Sequence, residues 1–253
     1  MATDADETIR MCIDWPLPEE LDDRAQLLAL KENEHNAAKP APGSPKRLAG
    51  DIRKFWKPGM ELHIRFLNVN PALQAKVIQY AQEWLQYANV KFIFDDSPRA
   101  QIRISFTPGI GSKSRVGLDA LESEPGTSTM NLDPTWFVND PKDVVLKRTV
   151  LHEFGHTLGF IHEHQSPMAN IAWDERKVIR AYSGPPNNWS LKDIRFNILE
   201  LANPAWTNAS AFDEHSIMLY PVDPELTTNG YRVDWNNELS EMDKQFAQQI
   251  YRQ

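Results

Sequence analysis

The segment "LHEFGHTLGFIHEHQSP", residues 151–167, gathers four of the chain's seven histidines within thirteen positions and sets a glutamate directly after the first of them. His152 and His156 are four apart, so on a helix they stand one above the other on a single face, about 6 Å apart along the axis. Two imidazoles so placed can share one metal ion. Gly159 can adopt the left-handed backbone that ends a helix, and the turn it permits brings His162 back towards the same point. Three nitrogen ligands with a fourth position left for water make a catalytic rather than a structural zinc site. Glu153 projects about 100° further round the helix than His152, which suits it to act on that water as general base rather than to bind beside the imidazoles. Five such positions match by chance in on the order of one in 10^5 chains of this length at ordinary residue usage. That weighs against reading the histidines as ordinary surface or core residues.

These groups need a helix under them. "NDPKDVVLKRTVLHEFGHTL" supplies one: Asp140 can cap it, Pro141 fits its first turn, and Asp143 lies favourably at the positive end of the dipole. Val144, Val145, Leu151, Phe154 and Leu158 then face the core. Upstream, "ELHIRFLNV" (61–69), "VKFIFDD" (90–96) and "QIRISF" (101–106) are rich in β-branched and aromatic residues and predict strands of one sheet. The stretch between the first two has Pro71 near its start and an apolar stripe at helical period, from Leu73 through Val77, Ile78 and Ala81 to Leu85 and Ala88. Strand, helix and strand form an α/β layer, so the fold class is α+β with an α/β upper layer. Beyond the histidines, helices are expected at 190–201 and 240–251, started by Ser190 and Ser240.

The chain has 253 residues, 41% of them hydrophobic, enough for one large domain with a short appendage. Residues 1–23 hold eight acids against one base and read as a poorly packed arm. A helix is plausible from Pro18 to Ala38, and Pro40, Pro42, Gly43 and Pro45 then break regular structure. The expected division is an acidic, propeptide-like arm with a Pro-rich linker at 1–49 and a catalytic domain at 50–253. Net charge is −8 and no Lys/Arg-rich run occurs, so nucleic acid is not an expected partner. No run of 18 apolar residues suggests a membrane span, and the first residues lack the marks of a secretory leader. The compartment stays open between the cytoplasm and export by a leaderless route. The single cysteine, Cys12, excludes an internal disulfide.

"HEFGHTLGFIH" resembles the zinc signature of the metzincin metallopeptidases, and the next residue, Glu163, resembles the astacins among them. "SIMLY" (216–220) is similar to the astacin Met-turn, with Leu219 where histidine is usual. The similarity extends over about residues 50–253 and lacks the disulfides of animal astacins. It implies a metzincin-like twisted mixed sheet with two long helices above a cleft (about 50–159) and a mostly irregular or helical lower half (about 160–253). It further implies one catalytic Zn2+, Met218 as an apolar floor beneath it, and Tyr220 as a further ligand that swings to the oxyanion. A buried packing tyrosine is the alternative for Tyr220. For Glu163 a structural ion pair or hydrogen bond is expected.

The implied activity is zinc-dependent endopeptidase action on a protein or peptide substrate, bound as an extended segment along an edge strand near Ser128–Leu132, by a monomer. The alternative function is a catalytically silent, zinc-stabilised binding or effector protein of the same fold. Two residues could hold the enzyme latent. Asp51 lies in "LAGD", which resembles the inhibitory Phe-x-Gly-Asp element of astacin propeptides, and Cys12 could bind metal as thiolate. A Gly-Asp turn and an inert thiol are the alternatives. His164 is expected at the surface and His215 in packing.

Overall fold

A computed structural model of the chain describes residues 12–37, 50–51, 53–185, 187–203, 207–208 and 211–252. The strands are β1 (Ile13–Asp14), β2 (Gly50–Asp51), β3 (Glu61–Phe66), β4 (Lys91–Phe94), β5 (Ile102–Ser105), β6 (Lys113–Ser114), β7 (Met130–Asn131) and β8 (Thr207–Asn208). Six of them form one mixed sheet in the order β1-β6-β7-β5-β3-β4, and β2 pairs with β8 apart from it. All pairings in the large sheet are parallel except that of β6 with β7. The three strands expected from apolar patterning are β3, β4 and β5. All four residues of β5 are buried, because the strand lies inside a sheet that is covered on its faces. Its Arg103 is satisfied by carbonyls, including that of Ala100 at 3.0 Å.

The helices are α1 (Asp22–Glu32), α2 (Pro71–Ala81), α3 (Val144–Thr157), α4 (Glu175–Ser183), α5 (Leu191–Ile194) and α6 (Glu241–Ile250). Asn70 caps α2, its side chain accepting from the Leu73 N–H at 3.2 Å, with Pro71 at the first helical position. The start of α3 differs from expectation. Asp143 sits in the left-handed region at φ 55° and its carboxylate takes Lys76 at 2.6 Å, while Asp140 reaches over to accept from the Leu146 N–H at 2.8 Å. The helix therefore begins at Val144, which is exposed, and the first core residue is Leu146.

The C-terminal part of α3 is pinned by three large side chains. Trp84 donates to the Leu151 carbonyl at 2.9 Å, Trp56 to Thr157 at 2.7 Å and Tyr251 to Leu158 at 2.5 Å. Two of these carbonyls belong to the terminal turn, where no intrahelical donor remains. Trp56, Trp84 and Phe154 are fully buried in the main core, which α6 also enters through Phe246 and Ala247. A smaller core below it joins Val178, Tyr182, Ile194 and Ile198 to Tyr220 and Cys12.

In the C-terminal half, Ser190 and Ser240 each form a capping box, with Asp193 and Asp243 as partners. Helix α4 is absent from the expectations above, although Asp174 caps it and Val178 and Tyr182 share its buried face. Among the described residues no helix is long and apolar enough to cross a membrane.

In the N-terminal arm the helix expected from Pro18 to Ala38 is present as the shorter α1, while Cys12, within the stretch expected to pack poorly, is buried. Ala25 and Ala29 of α1 are buried. Asn33 donates to the Phe55 and Trp56 carbonyls at 3.1 and 3.2 Å, and Asn36 to Phe55 at 3.0 Å. Residues 38–49, which include the Pro-rich stretch, and residues 1–11 lie outside the described residues. Asn33→Ala takes the donor from the Trp56 carbonyl, while Asn36 still reaches that of Phe55, so it should cost about 1–3 kcal/mol. Hydrogen exchange should show the loss concentrated in residues 18–37; unchanged protection there would contradict the anchoring role.

Candidate metal centre

Helix α3 and the turn after it place the three imidazoles as the spacing requires. Gly159 has φ 91°, and a Cβ there would lie 2.7 Å from the Phe55 ring, so both backbone and space call for glycine. The Nε2 atoms of His152, His156 and His162 form a triangle with edges of 3.1, 3.1 and 3.2 Å. Ligand atoms on a tetrahedral zinc at 2.0–2.1 Å would stand roughly 3.3 Å apart. Two of the rings have their tautomer set from behind: Nδ1 of His152 faces the Ile217 carbonyl at 2.8 Å and Nδ1 of His156 faces Phe160 at 2.9 Å. Each Nδ1 must carry the proton, which leaves the Nε2 lone pairs aimed inward. Such convergence in a buried place is stabilised by a cation, and these three residues form a metal-binding group of suitable donors. Glu153, beside them on α3, is fully buried. Its charge is felt by Lys113 on β6, whose pKa burial and Arg115 push down and Glu153 pushes up.

The segment 216–220 closes the site from beneath. A Cβ on Gly155 would lie 2.3 Å from the Met218 sulfur, so the methionine occupies the space that this glycine leaves open. Asp243 of α6 fastens the turn: it accepts from Ser216 Oγ at 2.7 Å, the Ile217 N–H at 2.8 Å and the Ser240 N–H at 2.8 Å. The Ile217 carbonyl in turn orients His152, so Asp243 acts on the cluster through a single residue. Sequence reasoning recognised the capping serine but missed this role. The signal was an acid three residues after Ser240, already accounted for by the cap.

Tyr220 lies close to the cluster, its ring 4.2 Å from that of His162 between centroids. Its hydroxyl donates to the carbonyl of Cys12. Cys12, His152, Tyr220 and Arg148 line one cavity of roughly 220 Å³. The arm reaches this place by pairing β1 with β6, where Arg115 donates to the Trp15 carbonyl at 2.7 Å and to that of Pro16. Lys113 and Arg115 both rest on the Trp15 ring, at 4.4 and 4.7 Å from its centroid. The expected substrate edge near Ser128–Leu132 is therefore misplaced: β7 is interior, between β5 and β6, and β6 carries the arm.

Other expectations are redistributed. Asp51 joins β2, and its carboxylate binds Arg53 at 2.9 and 2.8 Å instead of joining the three histidines; a cation two residues away outcompetes a distant metal site. Glu163 is buried and accepts from the Asp213 N–H at 3.0 Å, the structural hydrogen bond expected of it. His164 is buried rather than superficial, with Nε2 facing the Asn197 carbonyl at 2.7 Å and its ring packed beside those of both His162 and Tyr220. His215 is exposed rather than packed, because the turn there presents Ser216 inward instead.

The family model of the matrixin peptidases matches residues 56–179. Two solved structures of myroilysin are 43% identical to this chain. One covers 81% of it and 98% of its own chain at a TM-score of 0.77, the other 79% and 86% at 0.61. A hatching enzyme zinc-protease from the medaka fish Oryzias latipes, high choriolytic enzyme 1, is 17% identical over 78% of this chain and 94% of its own, with a TM-score of 0.52, a likeness of fold alone. No curated protein sequence matches.

Burial pushes the Asp243 carboxyl up from 3.8 to about 6 against three hydrogen bonds that favour its charge. A carboxyl raised on folding contributes stability below its unfolded pKa and loses it as pH climbs through the folded value. The loss between pH 4 and 7 should be about 2 kcal/mol. In Asp243→Asn, where the amide can donate to Ser216 Oγ, chelator-treated protein should show an urea-unfolding free energy that lacks this slope. An identical slope in both proteins would assign the pH dependence to another group.

Proposed function

Since this chain belongs to the metzincin zinc metallopeptidases, we propose that it is an astacin-like endopeptidase in which Glu153 is the general base and Tyr220 the oxyanion donor. The observation that carries this reading is the triangle of Nε2 atoms with a buried carboxylate one residue along the same helix. Bound by His152, His156 and His162, zinc supplies Lewis acidity that activates water near neutral pH and polarises a scissile carbonyl. Glu153 removes the proton of the attacking water and passes it to the departing amine nitrogen, so no covalent enzyme intermediate is needed. Its burial keeps bulk water from competing for that proton. Tyr220 pivots from the Cys12 carbonyl to donate to the oxyanion, and Met218 supports the cluster from below. An extended substrate pairs with β6, adding a strand to the sheet.

In this reading the arm is the regulator. It already occupies β6, places Cys12 in the cavity shared with His152 and Tyr220, and engages the hydroxyl that catalysis requires. Cys12, rather than Asp51, is the latency ligand the arrangement favours. The one finding that bears on the silent-binder alternative, retention of Glu153 together with all three histidines, favours the enzyme.

Glu153→Ala should keep stoichiometric zinc and lose peptidase activity by a factor on the order of 10^2 to 10^4, whereas His156→Ala should lose both; metal analysis beside a casein assay decides, and full turnover in the glutamate variant refutes the base. Tyr220→Phe should lower kcat by roughly 10- to 100-fold with little change in KM. Because the same change frees the Cys12 carbonyl, it should be measured after limited trypsin treatment of the arm. Equal kinetics would remove Tyr220 from the mechanism.

A further inference from the structure

Burial alternates along residues 112–115: Ser112 and Ser114 are buried, while Lys113 and Arg115 are half-buried. The two long side chains therefore share one face of the strand. Their proximity is unfavourable in itself, since burial pushes both pKa values down and Arg115 adds to the effect at Lys113. What they share is the half-buried indole of Trp15. Lys113 Nζ stands 4.4 Å and the Arg115 guanidinium carbon 4.7 Å from its ring centroid, both inside the roughly 6 Å reach of cation–π attraction. The guanidinium also donates to the Trp15 carbonyl at 2.7 Å and to that of Pro16, so backbone and ring of one residue are gripped together. The first 23 residues hold eight acids, yet the group the arm offers to these cations is an aromatic ring. Lys113 also lies within the field of Glu153, which puts the pair near the proposed base.

We propose that Lys113 and Arg115 form an aromatic-reading subsite of the cleft, in which a substrate strand paired with β6 seats a Trp, Tyr or Phe where Trp15 now lies. The inference rests on the peptidase reading above and adds a substrate preference to it. A strand laid on β6 sends alternate side chains to the face that carries the two cations. The negative face of a ring attracts both at once, and leucine of similar bulk has no such face. A carboxylate has to give up its hydration in this half-buried place, and lysine or arginine meets like charge.

The test uses the zinc-loaded full-length protein carrying Cys12→Ala and Trp15→Ala, which empties the clamp while Asn33, Asn36 and Arg24 still hold the arm. Saturation-transfer NMR should show N-acetyltryptophanamide binding to this protein and N-acetylleucinamide not. Lys113→Met with Arg115→Met, which keeps the stems and removes the charges, should weaken the amide roughly 10-fold. In a peptide series that varies the residues flanking the scissile bond among Trp, Tyr, Phe, Leu, Asp and Lys, one position should favour the aromatics over Leu roughly 10-fold in kcat/KM. That ratio should fall stepwise as the Phe ring carries one, two and three fluorines, a readout that needs no further change to the protein. Equal binding of the two amides, Leu or Asp cleaved as well as the aromatics, or a ratio indifferent to fluorination and to the methionine pair overturns the subsite while leaving the peptidase reading intact. Selective binding of the tryptophan amide with neither peptide nor casein cut overturns the peptidase reading and leaves the aromatic clamp.

Discussion

Three imidazole lone pairs directed at one point in a dry interior define this structure. All three are acceptors when the rings are neutral, so the arrangement calls for correct tautomers and positive charge at the centre. The protein contributes to the first of these from behind the rings, through the Ile217 and Phe160 carbonyls. Each of those carbonyls is itself fixed: Ile217 by Asp243 of α6, Phe160 by the turn that begins at Gly159. Elements far apart in sequence are thus committed to holding two ring nitrogens in place.

The rigidity of α3 follows from the same demand. Trp56, Trp84 and Tyr251 come from the start of the domain, the turn after α2 and the end of the chain, and all donate to carbonyls of one helix or its terminal turn. Gly155 and Met218 lock the helix to the turn beneath it by complementary absence and presence of bulk. Movement of α3 relative to the lower part would break these contacts together, which is why large side chains with a single polar atom are used here instead of aliphatic ones.

The chemistry was more legible in the sequence than the architecture around it. His152, Glu153, His156, Gly159 and His162 obey helical geometry and one glycine turn, both of which act within a dozen residues and need no knowledge of the rest. Strands β3 to β5 announced themselves by composition. What escaped was long-range: that β6 lies outside β7, that Asp243 reaches Ile217, that Asp51 goes to Arg53, and that His164 is inside while His215 is not. Helix α4 escaped for a different reason. Its buried face shows at only two positions amid charged residues, too few to stand out as a period. The helix of the arm was legible, but its anchoring was not, because composition reports how much apolar surface a segment has, not whether a neighbour offers it carbonyls to bind.

The arm is woven into both cores. Cys12 belongs to the lower one and Ala29 to the upper, with Asn33 and Asn36 tied to the backbone of Phe55 and Trp56. Any event that strips this segment away opens voids in the interior as well as uncovering the cleft. If the arm regulates as proposed, the unveiled molecule would be the more perishable one, since persistence and exposure of the histidines draw on the same stretch of chain in opposite directions.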